Sequence, residues 1–320
     1  LAACGGGGSK TNASLDPGTI NGAVIKGPVQ GAIAFIDADG DGLLNTATEA
    51  YAFTDADGNY SIDGAASGDI VVITDSTKIV GSALSVSAVD TSSGSALTGV
   101  TLKAPAGASV VTPTTTLVSE LGGNASAVAD ALGLSGVDLL NYNPYADGVS
   151  ATDATALAVE KIQTQIVTTV KAMAAAAEGQ GVSAESAAAT AFGSIASVVA
   201  TKSAAAPLDF TNTTDIDAVV TQASTDLSAA VTAAGGSSAN FTTATNALKG
   251  AGGALKAVND EIDNISDLDA GSTTNILSAA SRLSGQVKAS SQAGNTTAVD
   301  NMTTNISALI TEAGNNSAPR

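Results

Sequence analysis

Residues 32–49 read Ala32-Ile33-Ala34-Phe35-Ile36-Asp37-Ala38-Asp39-Gly40-Asp41-Gly42-Leu43-Leu44-Asn45-Thr46-Ala47-Thr48-Glu49, an apolar run that enters an acidic turn. Carboxylates at loop positions one, three and five (Asp37, Asp39, Asp41), with Gly42 at six, let a tight loop converge oxygens on one hard cation. Leu43 at seven would add its carbonyl. A helix-loop-helix hand also needs a bidentate Glu at position twelve. That position is Thr48, and Glu49 comes one residue late. The flank Ala32 to Ile36 is strand-like, so the stretch predicts a loop after a strand rather than a helical hand. A solvated acidic turn without an ion is the other reading of the same residues, because Asp and Asn favour turns anyway.

Outward from this loop, short apolar runs rich in β-branched residues recur between Gly, Asp and Ser turns: Ile20 to Ile25, Tyr60 to Ile62, Ile70 to Thr74, Leu84 to Val89 and Val100 to Lys103. The spacing predicts an antiparallel β-sandwich over 19–112. Thr112-Pro113 is a helix start and Asn143-Pro144 a stop. Beyond Ser150 the period turns helical, with Leu157, Ile162, Ile166, Val170 and Met173 on one stripe. Further helices are expected over 183–202, 213–233, 239–264, 273–288 and 296–313, with a break where Gly250, Gly252 and Gly253 fall inside the fourth of these. The expected fold class is α+β with the two kinds of structure segregated. A tether spans 1–18, the sandwich 19–112, and an Ala/Ser/Thr-rich bundle of five or six helices 113–320.

Composition limits the chemistry. The 320 residues hold 12 Lys and Arg against 30 Asp and Glu, a net charge of −18, which leaves little positive surface to neutralise phosphate and excludes nucleic acid as a partner. There is no His and one Cys, so His-based catalysis and His/Cys metal sites have no residues to use. Aromatic residues are 3% and Trp is absent, so the core must be built from Ala, Val, Ile and Leu. Oxygen ligands suited to Ca2+ are what remain.

The acidic loop and the turn Thr54-Asp55-Ala56-Asp57-Gly58-Asn59-Tyr60 together resemble the prealbumin-like sandwich modules of bacterial surface proteins, the B-repeat and carboxypeptidase-regulatory-like group. Gly22-Ala23-Val24 and the approach from Gly27 to Ala32 match the early part of the same pattern. The resemblance covers about the first third of the chain and implies Ca2+ stiffening rather than catalysis. Its ligand set would be Asp37, Asp39, Asp41 and Glu49, with Asn45, Asp55 and Asp57 as further oxygen donors. Some related modules also join a Lys to an Asn through an isopeptide bond, which gives Lys26 a second conceivable role. The segment from Val110 to Tyr145 resembles one that recurs in large secreted adhesins of Gram-negative bacteria.

Leu1-Ala2-Ala3-Cys4 resembles the bacterial lipobox, in which a signal peptide is cut before a lipid-modified Cys. Leu1 to Ala3 would then end a signal peptide, and Cys4 would carry the lipid. The Gly- and Ser-rich run Gly5 to Asn12 is composed as a flexible tether. These features predict a non-enzymatic, extracellular or cell-surface protein held at the outer membrane through Cys4. It is expected to self-associate into a homo-oligomer or polymer such as a filament or surface layer. A monomeric adhesin or glycan-binding lipoprotein is the alternative, and the scarcity of aromatic platforms counts against it.

Overall fold

The computed structural model describes residues 18–64 and 68–316, so Cys4 and the tether lie outside the described residues. Strands come first: β1 (Thr19–Val24), β2 (Val29–Gln30), β3 (Ile33–Asp37), β4 (Leu44–Asn45), β5 (Tyr51–Phe53), β6 (Asn59–Asp63), β7 (Asp69–Ile73), β8 (Ile79–Val80), β9 (Val89–Asp90), β10 (Ser95–Ala96), β11 (Thr101–Ala104) and β12 (Val110–Val111). Helices follow: α1 (Pro113–Glu120), α2 (Ala125–Ala131), α3 (Ala154–Glu178), α4 (Ala184–Val199), α5 (Thr213–Ala233), α6 (Ser238–Asn246), α7 (Ala254–Asp263), α8 (Gly271–Ala293), α9 (Thr297–Thr304) and α10 (Ile306–Asn316). The chain is α+β with its strands and helices segregated.

The main sheet runs β11-β7-β3-β5 and is antiparallel throughout. A smaller sheet, β12-β1-β6, pairs β1 with β6 antiparallel but with β12 in parallel, and β4 pairs with β8 in parallel. The sandwich is therefore mixed rather than purely antiparallel. The main sheet is covered on both faces, which is why Ile33 to Ile36 and Ile70 to Ile73 are apolar without alternation. Ala34, Ile36, Ile70, Val72, Leu102 and Ala104 face the large core. Ile33, Phe35, Val71 and Ile73 form a second cluster with Leu44, closed by Leu84 and Val86 among others. The run Leu84 to Val89, expected as a strand, pairs only at Val89. Its alternation records the burial of one face, and an extended cover segment buries one face without a ladder.

Thr112 caps α1 in a reciprocal box: its hydroxyl accepts from the Thr115 amide, and the Thr115 hydroxyl accepts from the Thr112 amide. The same turn docks the first helix on the sheet. Thr115 donates its hydroxyl to the Lys103 carbonyl at 2.7 Å, and the Lys103 amide donates to the Thr116 hydroxyl at 2.9 Å. These bonds occupy the outer edge of β11, which would otherwise be left unpaired.

Helix α3 lies at the centre of the helical half, against α4, α7 and α8. From Gln163 to Ala177 only Lys171 escapes full burial, so this helix is enclosed all round rather than along the single stripe expected. Ala172 and Ala174 to Ala177 make that enclosure possible, because small side chains let neighbouring helices approach from every side. The 239–264 segment splits into α6 and α7 at the glycines, and the last segment splits into α9 and α10, which takes the count beyond five or six. One contiguous apolar core runs from the sheets into the helices.

Thr115→Val removes two of the bonds at the α1 docking turn. Its urea midpoint should fall by the equivalent of about 1–3 kcal/mol, whereas Thr225→Val on an exposed face should stay within about 0.5 kcal/mol. Equal midpoints for the two variants would show that the edge of β11 is held by something else.

Candidate functional site: an acidic loop and a buried ionic junction

The acidic loop begins where β3 ends. Asp37 is the last residue of a fully buried strand, and its own exposure is 8%. Its two oxygens accept from the Gly40 amide at 2.8 Å and the Gly42 amide at 3.0 Å, which folds the loop back over the carboxylate. Both glycines have positive φ, 78° and 70°, a region that side chains disfavour. Glu49 is also 8% exposed and reaches back across the loop, accepting from Ala38 at 3.1 Å and Asn45 at 2.8 Å. The turn that accepts Thr48 and Glu49 amides on the Asn45 carbonyl carries Glu49 into place despite its late position in sequence.

One oxygen each of Asp37, Asp39 and Glu49 lie within 4.8 Å of one another. Asp41 is outside this group, and its carboxylate accepts the Leu43 amide at 2.7 Å. The Asn45 side-chain oxygen accepts from Ala47. Asp55 and Asp57 sit on the separate β5–β6 turn, where Asp55 accepts the amides of Asp57 and Asn59, and they too lie outside the group. Of the six carboxylates read from the sequence as cation ligands, the structure thus gathers three. Among the described residues no ion pair involves Asp37, Asp39 or Glu49. The nearby lysines are engaged elsewhere, Lys78 with Glu185 at 3.2 Å and Lys103 with Glu120 at 3.3 Å. Three converging carboxylates, two of them nearly dry and without a cationic side chain, fit a hard divalent cation.

A second constellation was not read from the sequence as a unit. Lys26, just beyond β1, is buried and donates to Asp90 at 2.6 Å. Asp90 also accepts from the amides and hydroxyls of Ser92 and Ser93. The contact of Lys26 with Asp90 is an ion pair, and the partner is not an Asn. Glu160 on α3 accepts from the Gly27 amide at 3.3 Å and from the Thr164 hydroxyl at 3.1 Å. The Tyr145 hydroxyl faces Ser92 and Glu160 without forming a well-shaped hydrogen bond, and Lys171 lines a small cavity together with Lys26 and Asp90. The adjoining chamber is about 30 Å3, room for one or two water molecules rather than a substrate.

Burial lowers the Lys26 pKa, but the charges of Asp90 and Glu160 and the hydrogen bond from Asp90 outweigh it, leaving the net value above the ordinary one. Glu160 moves up to about 7, chiefly by burial; the Lys26 charge opposes this and the Asp90 charge adds to it. Lys171 is lowered by burial and then by Lys26. A signal for Glu160 existed in the sequence: it lies four residues after Ala156 and seven before Val167, in the buried phase of the helix.

Comparison of the chain with protein-family models, with curated proteins and with solved structures finds no match.

A Glu whose folded pKa exceeds its unfolded value contributes stability that is complete below the unfolded value of 4.5 and is lost as pH rises through about 7. The loss should be on the order of 3 kcal/mol between pH 4.5 and pH 8. Urea unfolding of the wild-type chain and of Glu160→Gln across that range checks this. The wild type should lose stability relative to the variant as pH rises, and parallel curves would refute the assignment.

Proposed function

We propose that the chain is a non-enzymatic bacterial cell-surface protein whose β-region is stiffened by Ca2+ at the loop 37–49. The observation that carries this reading is the convergence of Asp37, Asp39 and Glu49 at the mouth of a buried strand, with no Lys or Arg paired to them. A cation there would pin the β3–β4 loop. Beside that loop a cavity is lined by Asp37 and Asp41 on one side and by Glu120 and Glu185 of the helices on the other, so stiffening would extend to the contact between the two halves. The lack of His and the small chamber at the ionic junction favour a scaffold over an enzyme.

Attachment to the outer membrane through a lipid on Cys4 belongs to the same proposal. No helix among the described residues is long and apolar enough to cross a membrane. Self-association into a homo-oligomer or polymer completes the reading. Large apolar side chains exposed among the described residues are Phe53 and Val80, so contacts between copies would be largely polar and open to control by Ca2+.

Calorimetric titration of the calcium-free chain should give saturable heat. At a hundredfold excess of Ca2+ over Kd the melting temperature should rise by roughly 5 °C. Asp39→Asn combined with Glu49→Gln should abolish both responses while leaving the far-ultraviolet circular dichroism unchanged. Absence of heat and of any thermal shift in the wild type would end the Ca2+ assignment. For assembly, negative-stain images in millimolar Ca2+ should show ordered particles, and dispersed monomer at high concentration would remove the polymer from the proposal.

A further inference from the structure

The outer face of β1 and β6 carries a groove of about 700 Å3, within the ~300–1,000 Å3 range of small-molecule sites. Its floor is set by strand register. Asn21 stands opposite Ser61 and Ala23 opposite Asn59, so these side chains share one face while Ile20, Val24 and Ile62 turn to the core. One wall comes from the segment between α2 and α3. The Ser109 and Val110 amides both donate to the Leu140 carbonyl, and this brings Asn141 and Asn143 alongside β12. The rim opposite belongs to β5 and the following turn, with Phe53 and Asp55.

The chemistry of the lining narrows the ligand. No Lys or Arg lines the groove, and its one charged residue is Asp55, so phosphate, sulfate and carboxylate ligands find no counter-charge. Four Asn side chains line it; Asn59 donates to Asp55, Asn141 accepts from Ser109 and donates to Asp138, and Asn143 accepts from the Tyr145 amide, but each amide carries two N–H groups and two lone pairs, so capacity remains to match the hydroxyls of a neutral polyol. Four of the five Phe are buried at 3% exposure or less, whereas Phe53 is 47% exposed at this rim. An open ring beside a row of amides offers an apolar face together with hydrogen bonds. Tyr60 pairs with Gly22 on the core-facing side of these strands, where the residue is 4% exposed and its hydroxyl is buried without a hydrogen-bond partner. That oxygen occupies the space over Gly22 that any Cβ there would take, so Gly22 is what lets the Tyr60 ring lie across β1.

We propose that this groove is a binding site for a neutral oligosaccharide, stacked on Phe53 and hydrogen-bonded by Asn21, Asn59, Asn141 and Asn143. The site shares no residue with the acidic loop 37–49, so it stands or falls independently of the Ca2+ reading. It gives the surface protein a ligand class, and the helical half contributes directly to it through Asn141 and Asn143.

The full chain, labelled and applied to an array of immobilised neutral glucose, galactose, mannose and N-acetylglucosamine oligomers alongside sialylated and sulfated glycans, tests the proposal. Binding to at least one neutral class is expected, with anionic glycans weaker. Phe53→Ala and, separately, Asn21→Ala should each weaken calorimetric affinity for the best neutral oligomer at least tenfold. Both residues are exposed, so circular dichroism and the Ca2+ response should match the wild type. Failure to bind any neutral oligomer, a preference for anionic glycans, or binding that neither substitution weakens would each overturn the assignment.

Discussion

A core with almost no aromatic rings must be filled by bringing backbones close together, and most of this structure follows from that constraint. Each buried Ala contributes little apolar area, so stability has to come from many close approaches rather than a few large side chains. Helix α3 meets the demand by being enclosed on every side along Gln163 to Ala177. At its end, Gly179 leaves no room for a Cβ against Ser291 and the Lys288 carbonyl of α8. The main sheet meets the same demand by burying both faces, one against the strands and helices of the large core and one under the irregular segment that holds Leu84 and Val86.

Close approach also brings polar groups inside, and several of them bond to carbonyls of the same or a neighbouring element. Thr169 and Ser291 donate to the carbonyls of Gln165 and Ala176, and Thr115 and Thr116 serve the edge of β11. A buried hydroxyl that replaces a missing ladder bond ties helix position to strand register, because either group left alone would be desolvated and unpaired. The Lys26, Asp90 and Glu160 junction extends this to charge. Breaking a buried pair strands the remaining ion, so the junction fixes how the end of β1, the β9–β10 turn and α3 lie together even if its net contribution to stability is small.

Two surface features stand apart from this interior. The loop 37–49 is shaped by carboxylates that accept their own backbone amides, a common device in turns, yet Glu49 bridges both limbs and brings its oxygen to Asp37 and Asp39. The groove over β1 and β6 is built from both halves of the chain, which makes the single continuous core more than a matter of packing: α2, α3 and the sheets must be docked for Asn141 and Asn143 to face Asn21 and Asn59.

The segregated α+β class, the start of α1 at Thr112-Pro113, the limits of α5 and the break at Gly250 to Gly253 were all legible in the sequence, because caps, glycines and hydrophobic period act within a few residues. The acidic loop was legible as a cluster, since its ligand spacing is local. Which carboxylates meet was decided by the tertiary structure: Asp55 and Asp57 share the composition of the loop but sit on another turn, and Glu49 joins because a turn at Asn45 carries it back. The parallel pairing of β1 with β12, the path of Leu84 to Ser87 outside any strand ladder, the enclosure of α3 on all sides along Gln163 to Ala177 and the meeting of Lys26 with Asp90 and Glu160 also came only from the fold. Local patterns state which face a residue must bury and where an element must stop. The partners that cover that face are separated by tens to more than a hundred residues, and only the shared need to exclude water and pair every buried charge brings them together.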